Sequence, residues 1–211
     1  MSRLTIVVAA TKANGIGVNG GLPWKLSKEL KYFAQVTTKA PEGQQNAVIM
    51  GRNTWESIPS KFRPLPRRKN IVISRSPNYE LGAPAGTTIL ANSLKSALDT
   101  MNASSADGDN KLNRGFIIGG ANLYNESLAL RVSTTEPCVD RILLTRILSP
   151  AFDNCDVFMP DFLDPGTPGE RGGWTQASHA ELEEWVGFTV PQGTQEEDGV
   201  QYEFQMWVRG G

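Results

Sequence analysis

The sequence is poor in the residues on which most hydrolytic and metal-dependent sites depend. It holds one histidine, His179, and two cysteines, Cys138 and Cys155, which form no C-x-x-C pair. A Ser-His-Asp hydrolase would depend on that one histidine, and no G-x-S-x-G segment carries a nucleophilic serine. A zinc site with several His or Cys ligands is equally disfavoured, so we predict no metal site. We expect both cysteines to be free thiols in a reducing compartment.

Excess charge and long apolar runs are absent as well. The net charge is −1, which gives no global field to attract nucleic acid or an anionic membrane. No apolar run reaches the ~20 residues that a transmembrane helix needs, and the N-terminal stretch MSRLTIVVAATKANG reads as a buried strand and not as a signal peptide. We therefore predict a cytoplasmic protein with neither a membrane nor a nucleic-acid partner. No heptad pattern requires a second subunit, so we expect a monomer.

The apolar runs predict one α/β domain over residues 1–211. Runs rich in Val and Ile, such as TIVVAA and NIVIS, suit strands buried on both faces of a mostly parallel sheet. Apolar residues alternate from Tyr202 to Val208, which predicts an antiparallel C-terminal edge strand. We predict a central, mostly parallel twisted sheet with that edge strand and with helices on both faces. The other strands are predicted at residues 4–10, 47–50, 70–74, 87–90, 116–118 and 141–147.

Helical patterns fall between these runs. Ser27 is predicted to cap a helix in which Leu26, Leu30 and Phe33 share one face. Ser93 precedes a second stripe, formed by Leu94, Ala97, Leu98 and Met101. Residues 103–113 and 164–173 are rich in Gly, Pro, Ser and Asp, and we predict that both are surface insertions.

A glycine pattern after the first strand suggests a dinucleotide site and fails a physical test. Residues 15–20 fit G-x-G-x-x-G, but that turn must open a helix whose N-terminus faces the pyrophosphate. Gly21 and Pro23 follow directly and would break such a helix. We interpret the segment as a mobile loop that can approach a ligand closely.

Two other glycine turns are better candidates for binding phosphate. Gly119 and Gly120 follow the strand at 116–118 and precede a helical segment, and Gly51 occupies the same place after the strand at 47–50. Arg52 and Arg75 follow two strand ends, and guanidinium groups match phosphate oxygens. If they converge, they favour NADP(H) over NAD(H). The alternative is that each glycine only makes a tight strand–helix turn.

Glu29 is the strongest candidate for acid–base chemistry. It lies beside Leu30, at the edge of the predicted apolar helix face and just after the Trp24 loop. A carboxyl group that is partly desolvated there would hold a proton near neutral pH. The alternative is a solvated glutamate in the first helical turn, where the helix dipole favours it.

Residues 61–69 form the one basic cluster of the sequence. Such a cluster is compatible with a nuclear signal or a nucleic-acid patch, although it contains a single aromatic residue. The simplest interpretation is a solvated face, and a sharper one is an anchor for an anionic substrate tail.

Together these motifs resemble the dihydrofolate reductase family, in particular its eukaryotic, fungal-type members, from about residue 4 to residue 209. The resemblance is carried by GIGVNGGLPW (15–24), Glu29 with Tyr32 and Phe33, VIMGRNTWESIP (48–59), RPLPRRKNIVISR (63–75), IIGGANLY (117–124) and LLTRI (143–147), in the family's order. It implies NADPH-dependent reduction of 7,8-dihydrofolate to tetrahydrofolate, by hydride transfer to C6 and protonation at N5. Such an enzyme supports one-carbon, thymidylate and purine metabolism.

The resemblance also implies roles for particular residues. Glu29 would accept hydrogen bonds from the pterin with Thr145 in support, Trp24 would lie near the water that delivers the proton, and Leu22 would close over the nicotinamide. The substrate, or a folate analogue such as an antifolate, would contact Val8, Glu29, Leu30, Phe33, Ile58, Leu65, Arg68, Ile118 and Tyr124, with Arg68 on the carboxylate of the glutamate tail. NADPH would contact Ala10, Ile16, Gly17, Gly51, Arg52, Asn53, Thr54, Ser74, Arg75, Ser76, Gly119, Gly120, Ala121, Asn122 and Leu123. The Gly119–Gly120 peptide bond is expected to be cis.

The sequence departs from the family pattern at two positions, and three other functions compete. Leu30 stands where vertebrate members usually carry an aromatic residue, and Gly21 replaces a more usual Asp or Asn. A reductase of the same fold that acts on a riboflavin-pathway intermediate would need neither Glu29 beside Trp24 nor Arg68. A non-catalytic NADPH sensor and a nucleic-acid-binding module are the remaining alternatives.

Overall fold

The apolar runs form the strands of a large mixed sheet. The computed structural model describes residues 3–84, 86–104, 111–133, 135–163 and 173–210. The strands are β1 (Arg3–Thr11), β2 (Gly15–Gly17), β3 (Gln44–Gly51), β4 (Arg68–Ile73), β5 (Thr88–Ala91), β6 (Lys111–Ile117), β7 (Cys138–Ser149), β8 (Val157–Phe158), β9 (Trp174–Gln176), β10 (Gln195–Glu197) and β11 (Val200–Arg209). The helices are α1 (Ser27–Thr38), α2 (Arg52–Ser57), α3 (Leu94–Ser104), α4 (Ala121–Leu128) and α5 (His179–Val186), with a 3₁₀ helix at Ser60–Phe62.

The sheet is parallel over most of its width. Its nine strands follow the order β10-β11-β7-β1-β6-β3-β4-β5, with β9 also beside β11. The pairs from β7 to β5 are parallel, whereas β11 is antiparallel to β7, β9 and β10. The predicted parallel sheet with an antiparallel C-terminal part is therefore confirmed. β11 itself lies one place inside the edge, because the short strands β9 and β10 pair with its outer side.

Two apolar layers cover the two faces of the sheet, as predicted. Along β1, Leu4, Ile6 and Val8 face one layer and Val7 faces the other, because successive side chains of a strand alternate. The first layer contains the buried residues of α3 and α4. The second contains those of α1, α2 and α5. Strands that are buried on both faces explain the continuous Val- and Ile-rich runs.

Helix α3 begins as predicted, and α1 does not. The Ser93 hydroxyl accepts a hydrogen bond from the Ser96 backbone N–H at 3.1 Å. In α1 the N-cap residue is Leu26, which has no side-chain acceptor, and Ser27 is already the first helical residue. The prediction that Ser27 caps α1 is thus wrong. The Glu197 carboxylate of β10 takes that place, accepting from the backbone N–H groups of Ser27 at 2.7 Å and Lys28 at 2.9 Å.

Parallel pairing brings the carboxyl ends of four strands to one edge of the sheet. Ile49 of β3 is opposite Ile117 of β6, and Gly51 is opposite Ile73 of β4. The glycine turns at 51 and 119–120 and the segment 74–76 therefore lie next to one another. Ligands of parallel α/β sheets bind outside such an edge, where neighbouring connections leave in opposite directions.

The two predicted insertions are only partly within the described residues. Residues 103–104 end α3 and residues 111–113 begin β6, which starts earlier than the predicted strand at 116–118. Residues 105–110 and 164–172 lie outside the described residues. Within the described ranges, no helix is both long and apolar enough to cross a bilayer. Both cysteines are free thiols, as predicted.

Helix capping gives a first test of this fold. Ser178 caps α5 in a reciprocal arrangement with Glu181, so Ser178→Ala should lower the free energy of unfolding by about 1 kcal/mol. Ser27→Ala is the matched control and should change it by less than about 0.5 kcal/mol, because the Ser27 side chain is not the cap. Urea unfolding of both variants checks this, and a larger loss for Ser27→Ala would contradict the assignment of the α1 N-terminus.

Candidate active site

Helix α1 carries Glu29 into the interior of the protein. Glu29 lies on the face that buries Tyr32, Val36 and Thr37, and its residue exposure is 6%. The predicted apolar face is therefore wrong in phase, because Leu30 is 52% exposed while the glutamate is buried. The solvated alternative for Glu29 is excluded by this burial.

Thr145, at the centre of β7, supplies the hydrogen-bond partner of Glu29. Its hydroxyl donates to Oε1 of Glu29 at 3.0 Å, so the predicted contact between the two side chains is present. Thr145 is opposite Ala9 of β1 and Phe204 of β11, so its position is fixed by strands on both sides. The partner of the carboxylate is thus held by the sheet itself.

Burial governs the protonation of Glu29. The pKa of its carboxyl group is raised to about 7: desolvation raises it most, the hydrogen bond from Thr145 lowers it, and the negative charge of Glu197 raises it. The hydroxyls of Tyr32 and Tyr124 are also buried, and their pKa values are raised by burial and by the Glu29 charge. Tyr124 donates to the Val7 carbonyl at 3.1 Å. Because its pKa is raised to about 7, the Glu29 carboxyl group can exchange a proton near neutral pH.

The glycine-rich segment after β1 does not open a helix. Gly15 and Gly17 belong to β2, which pairs with β8, and α1 starts ten residues after Gly17. This confirms that the segment is not a dinucleotide-binding turn of the G-x-G-x-x-G type. It leads to Leu22, which is 53% exposed, and then to a buried tryptophan.

Trp24 lies at the end of this segment and packs into the core. It is buried and packs edge-on against Phe152, with ring centroids 5.3 Å apart. Its Nε1 atom is buried and has no hydrogen-bond acceptor within the described part of the chain. The indole N–H is thus available to a group from outside the protein.

The two glycine turns are joined by a backbone hydrogen bond. Gly51 N–H donates to the Gly119 carbonyl at 2.8 Å, and the Gly119–Gly120 peptide bond is cis, as expected. Gly119 has φ +125°, and a Cβ there would lie 3.1 Å from Oγ1 of Thr54. Any side chain would therefore be both strained and crowded. The glycines leave a surface of bare backbone at the carboxyl ends of β3 and β6.

The end of β4 continues this surface. Ser74 is buried, and its hydroxyl accepts from the Ser76 N–H at 3.2 Å, while Arg75 is exposed. Arg52 is exposed as well, with Nε 3.8 Å from a Glu56 carboxylate oxygen. Both arginines follow strands that end at the same edge of the sheet.

Arg68 is the buried member of the basic cluster. It is 7% exposed, donates to the Thr37 hydroxyl at 2.7 Å and to the Pro66 carbonyl at 3.0 Å. Across the described ranges no carboxylate forms an ion pair with it. Burial, and then the charge of Arg67, lower the pKa of Arg68 to about 10. An arginine that is buried without a carboxylate is suited to binding an anion from outside. It is therefore not part of a solvated face.

The remaining residues that were predicted to contact the substrate or the cofactor differ in how deeply they are buried. Partly buried side chains on the α1 side of the sheet are Phe33, Ile58, Leu65 and Ile118. Val8 and Ala10 of β1 and Leu123 of α4 are buried in the opposite layer, with Ile16 packed against it. Gly17 is buried, Ala121 is partly buried, and Asn53 and Asn122 are exposed at the starts of α2 and α4.

Glu197 was not predicted as a residue of this site. Its position in the sequence gives no sign of the contact with α1.

Comparison with known proteins agrees with this geometry. The family model described as dihydrofolate reductase matches residues 3–168. The chain belongs to the dihydrofolate reductase family. Among its relatives in this family are the enzyme of Cryptococcus neoformans, 46% identical over 97% of this chain and 94% of its own, and that of Pneumocystis carinii, 42% identical over 98% and 96%. The structure of Schistosoma mansoni dihydrofolate reductase aligns with a TM-score of 0.73 at 35% identity, covering 99% of each chain. The predicted fungal-type resemblance is confirmed.

The raised pKa of Glu29 predicts how stability depends on pH. The Glu29 carboxyl keeps its proton up to about pH 7 in the folded protein and only to about pH 4.5 in the unfolded chain. The free energy of unfolding therefore falls as pH rises through this window. The loss amounts to about 3 kcal/mol. Glu29→Gln, which does not titrate, should therefore be more stable than the parent above pH 7, and this advantage should disappear below pH 4.5. Urea unfolding across this range checks the prediction, with the exposed Glu42→Gln as the control that should follow the parent.

Proposed function

We propose that this chain reduces 7,8-dihydrofolate to 5,6,7,8-tetrahydrofolate, taking the hydride from NADPH. The observation that carries the proposal is the buried Glu29 carboxyl, bonded to Thr145 at 3.0 Å, in a member of the dihydrofolate reductase family. Its pKa of about 7 suits a group that must hold a proton at neutral pH. The riboflavin-type alternative does not account for this carboxyl or for Arg68.

Glu29 orients the pterin and supports its protonation at N5. A carboxylate accepts two parallel hydrogen bonds, so it can fix the pterin amino group and ring N–H in one orientation. We propose that a water molecule near Trp24 carries the proton to N5, since the buried indole N–H has no acceptor among the described residues and can hold such a water. Protonation at N5 makes C6 electrophilic. Leu22, exposed at the end of the glycine-rich segment, would close over the reacting atoms and exclude water.

The glycine turns fit the cofactor. A pyrophosphate needs backbone N–H groups that no side chain covers, and the turn at Gly119–Gly120, which opens α4 without a side-chain cap, offers them beside Thr54. When bound, NADPH supplies the hydride that C6 accepts. We propose that Arg52, Ser74 and Arg75 bind the adenosine 2′-phosphate, which would favour NADPH over NADH.

Arg68 binds the end of the substrate that lies opposite the pterin. Its guanidinium is held by Thr37 and Pro66 and retains donors for the α-carboxylate of the glutamate tail. The centroid of the Phe33 ring lies 5.9 Å from the central carbon of the guanidinium. Together with Ile58 and Leu65, this ring offers an apolar wall to the aromatic part of the substrate. The site would therefore bind the polar pterin at Glu29, the aromatic part of the substrate at the apolar wall and the anionic tail at Arg68.

Replacement of Glu29 tests the acid–base role. Glu29→Gln keeps a hydrogen-bond acceptor for the pterin but cannot release or hold the proton, so turnover should fall by about 10²–10⁴-fold. NADPH affinity, measured by fluorescence titration, should stay within about twofold. The control Glu42→Gln should retain full turnover, and a Glu29→Gln variant with near-parent turnover would contradict the role.

Replacement of Arg68 tests the tail contact. Arg68→Leu should weaken binding of folates that carry the glutamate tail by about 10²-fold, because a charge-assisted pair in a buried place is lost. Tail-less pteridines should bind as they do to the parent. Dissociation constants for both ligand types, beside Lys61→Leu as a control from the exposed part of the same cluster, decide the matter. Equal losses for both ligand types would remove the assignment.

A further inference from the structure

The N-terminus of α1 is capped by a residue from the other end of the chain. The N-cap residue Leu26 offers no side-chain acceptor, and the first backbone N–H groups of a helix need one. Both oxygens of the Glu197 carboxylate serve, accepting from Ser27 N–H at 2.7 Å and from Lys28 N–H at 2.9 Å. Glu29 is the next residue of the same turn. A carboxylate in this place also interacts favourably with the helix dipole.

The hairpin that carries Glu197 is well defined. β10 and β11 are antiparallel, with Glu197 opposite Val200, and the two residues between them, Asp198 and Gly199, have φ +50° and +75°. Positive φ at both central residues is the requirement of the tight hairpin turn that Asp-Gly favours. The backbone at Glu197 is therefore defined by its own turn and strand pairing, independently of the contact with α1.

The same hairpin also positions the partner of Glu29. Phe204 of β11 is opposite Thr145 of β7, whose hydroxyl donates to Glu29. The β10–β11 hairpin thus contacts the surroundings of Glu29 at two places. β11 pairs with β7, which carries Thr145, and Glu197 of β10 accepts hydrogen bonds from the first turn of α1. Displacement of the hairpin would change both.

Among the described residues, one carboxylate and several hydroxyls act on Glu29 or face it. Glu197 is the carboxylate whose charge raises the pKa of Glu29. The other facing groups are the hydroxyls of Tyr32 on α1, Tyr124 on α4, Thr145 on β7 and Tyr202 on β11. These hydroxyls are neutral at pH 7, because a tyrosine ordinarily titrates near pH 10 and burial raises the pKa of each of these tyrosines further. The charge that varies with substitution at this site is consequently that of Glu197.

We propose that Glu197 is a positioning residue for the reaction: it anchors the first turn of α1, and so the Glu29 carboxyl, and its negative charge forms part of the field in which that carboxyl works. Glu197 does not touch the substrate and acts through Glu29. The proposal rests on the proposed function, because it assigns the work at Glu29 to the acid–base step.

Two substitutions separate the charge of Glu197 from its hydrogen bonds. Glu197→Gln removes the charge and keeps one of the two oxygen acceptors, so the pKa of Glu29 should fall and the high-pH limb of kcat/KM should move to lower pH, with activity at pH 7 reduced severalfold. Glu197→Asp keeps the charge but shortens the reach to α1, so its limb should stay close to the parent's while its Tm falls. Glu196→Gln, one residue away on the same strand and exposed, is the control and should leave both quantities unchanged.

The titration of Glu29 can also be followed without turnover. In protein labelled with ¹³C at glutamate carboxyl carbons and free of ligands, the Glu29 resonance is identified by its loss in Glu29→Gln. Its midpoint should move to lower pH in Glu197→Gln and not in Glu196→Gln. An unchanged midpoint, or equal shifts in both variants, would overturn the proposal. A parent without dihydrofolate-dependent turnover would instead refute the proposed function, and the NMR midpoints would still decide the electrostatic part of the inference.

Discussion

The hydrogen bond from Thr145 to the Glu29 carboxylate joins helix α1 to the centre of the sheet, and much of the structure serves to hold its two ends. Thr145 is fixed between Ala9 of β1 and Phe204 of β11, while the first turn of α1 is fixed by Glu197. Burial makes the ionised carboxylate costly, and one neutral donor only partly compensates for that cost. The buried carboxyl therefore lowers stability at neutral pH, and in the function that we propose it keeps a proton where a substrate can use it, as active sites commonly do.

The parallel sheet brings the ends of several strands together. Strands β1, β3, β4 and β6 end at one edge, and the glycine turns after β3 and β6 expose backbone there because no side chain fits at Gly119. On the α1 side of the same sheet, Arg68 at the start of β4 is buried without a carboxylate partner in the described residues. A surface suited to phosphate thus lies at the carboxyl ends of β3 and β6, and a buried cation lies at the start of β4. In the function that we propose, these places would hold cofactor and substrate in the relative orientation that hydride transfer requires.

The sequence predicted the parts of the fold that depend on local pattern. Val- and Ile-rich runs gave the central strands, and the break after Gly20 correctly separated the first glycine segment from a dinucleotide-binding turn. The S-x-x-E signal at Ser178 could have revealed α5 and was overlooked. Long-range contacts could not be predicted: Ser27 has the residue type of a cap, but a carboxylate 170 residues away makes the cap instead. The phase of α1 failed for a related reason, since a buried glutamate looks polar in any hydrophobic pattern and the exposed Leu30 looks apolar.

The measurement that tests the account most directly is NADPH oxidation by the purified chain, followed with and without dihydrofolate and repeated with NADH. Identification of the pterin product by NMR completes it. The account predicts oxidation that requires dihydrofolate, yields tetrahydrofolate and is faster with NADPH than with NADH. Tight binding of NADPH with no dihydrofolate-dependent oxidation would contradict it, and would mean that this scaffold binds its cofactor without performing the chemistry that the Glu29 site suggests.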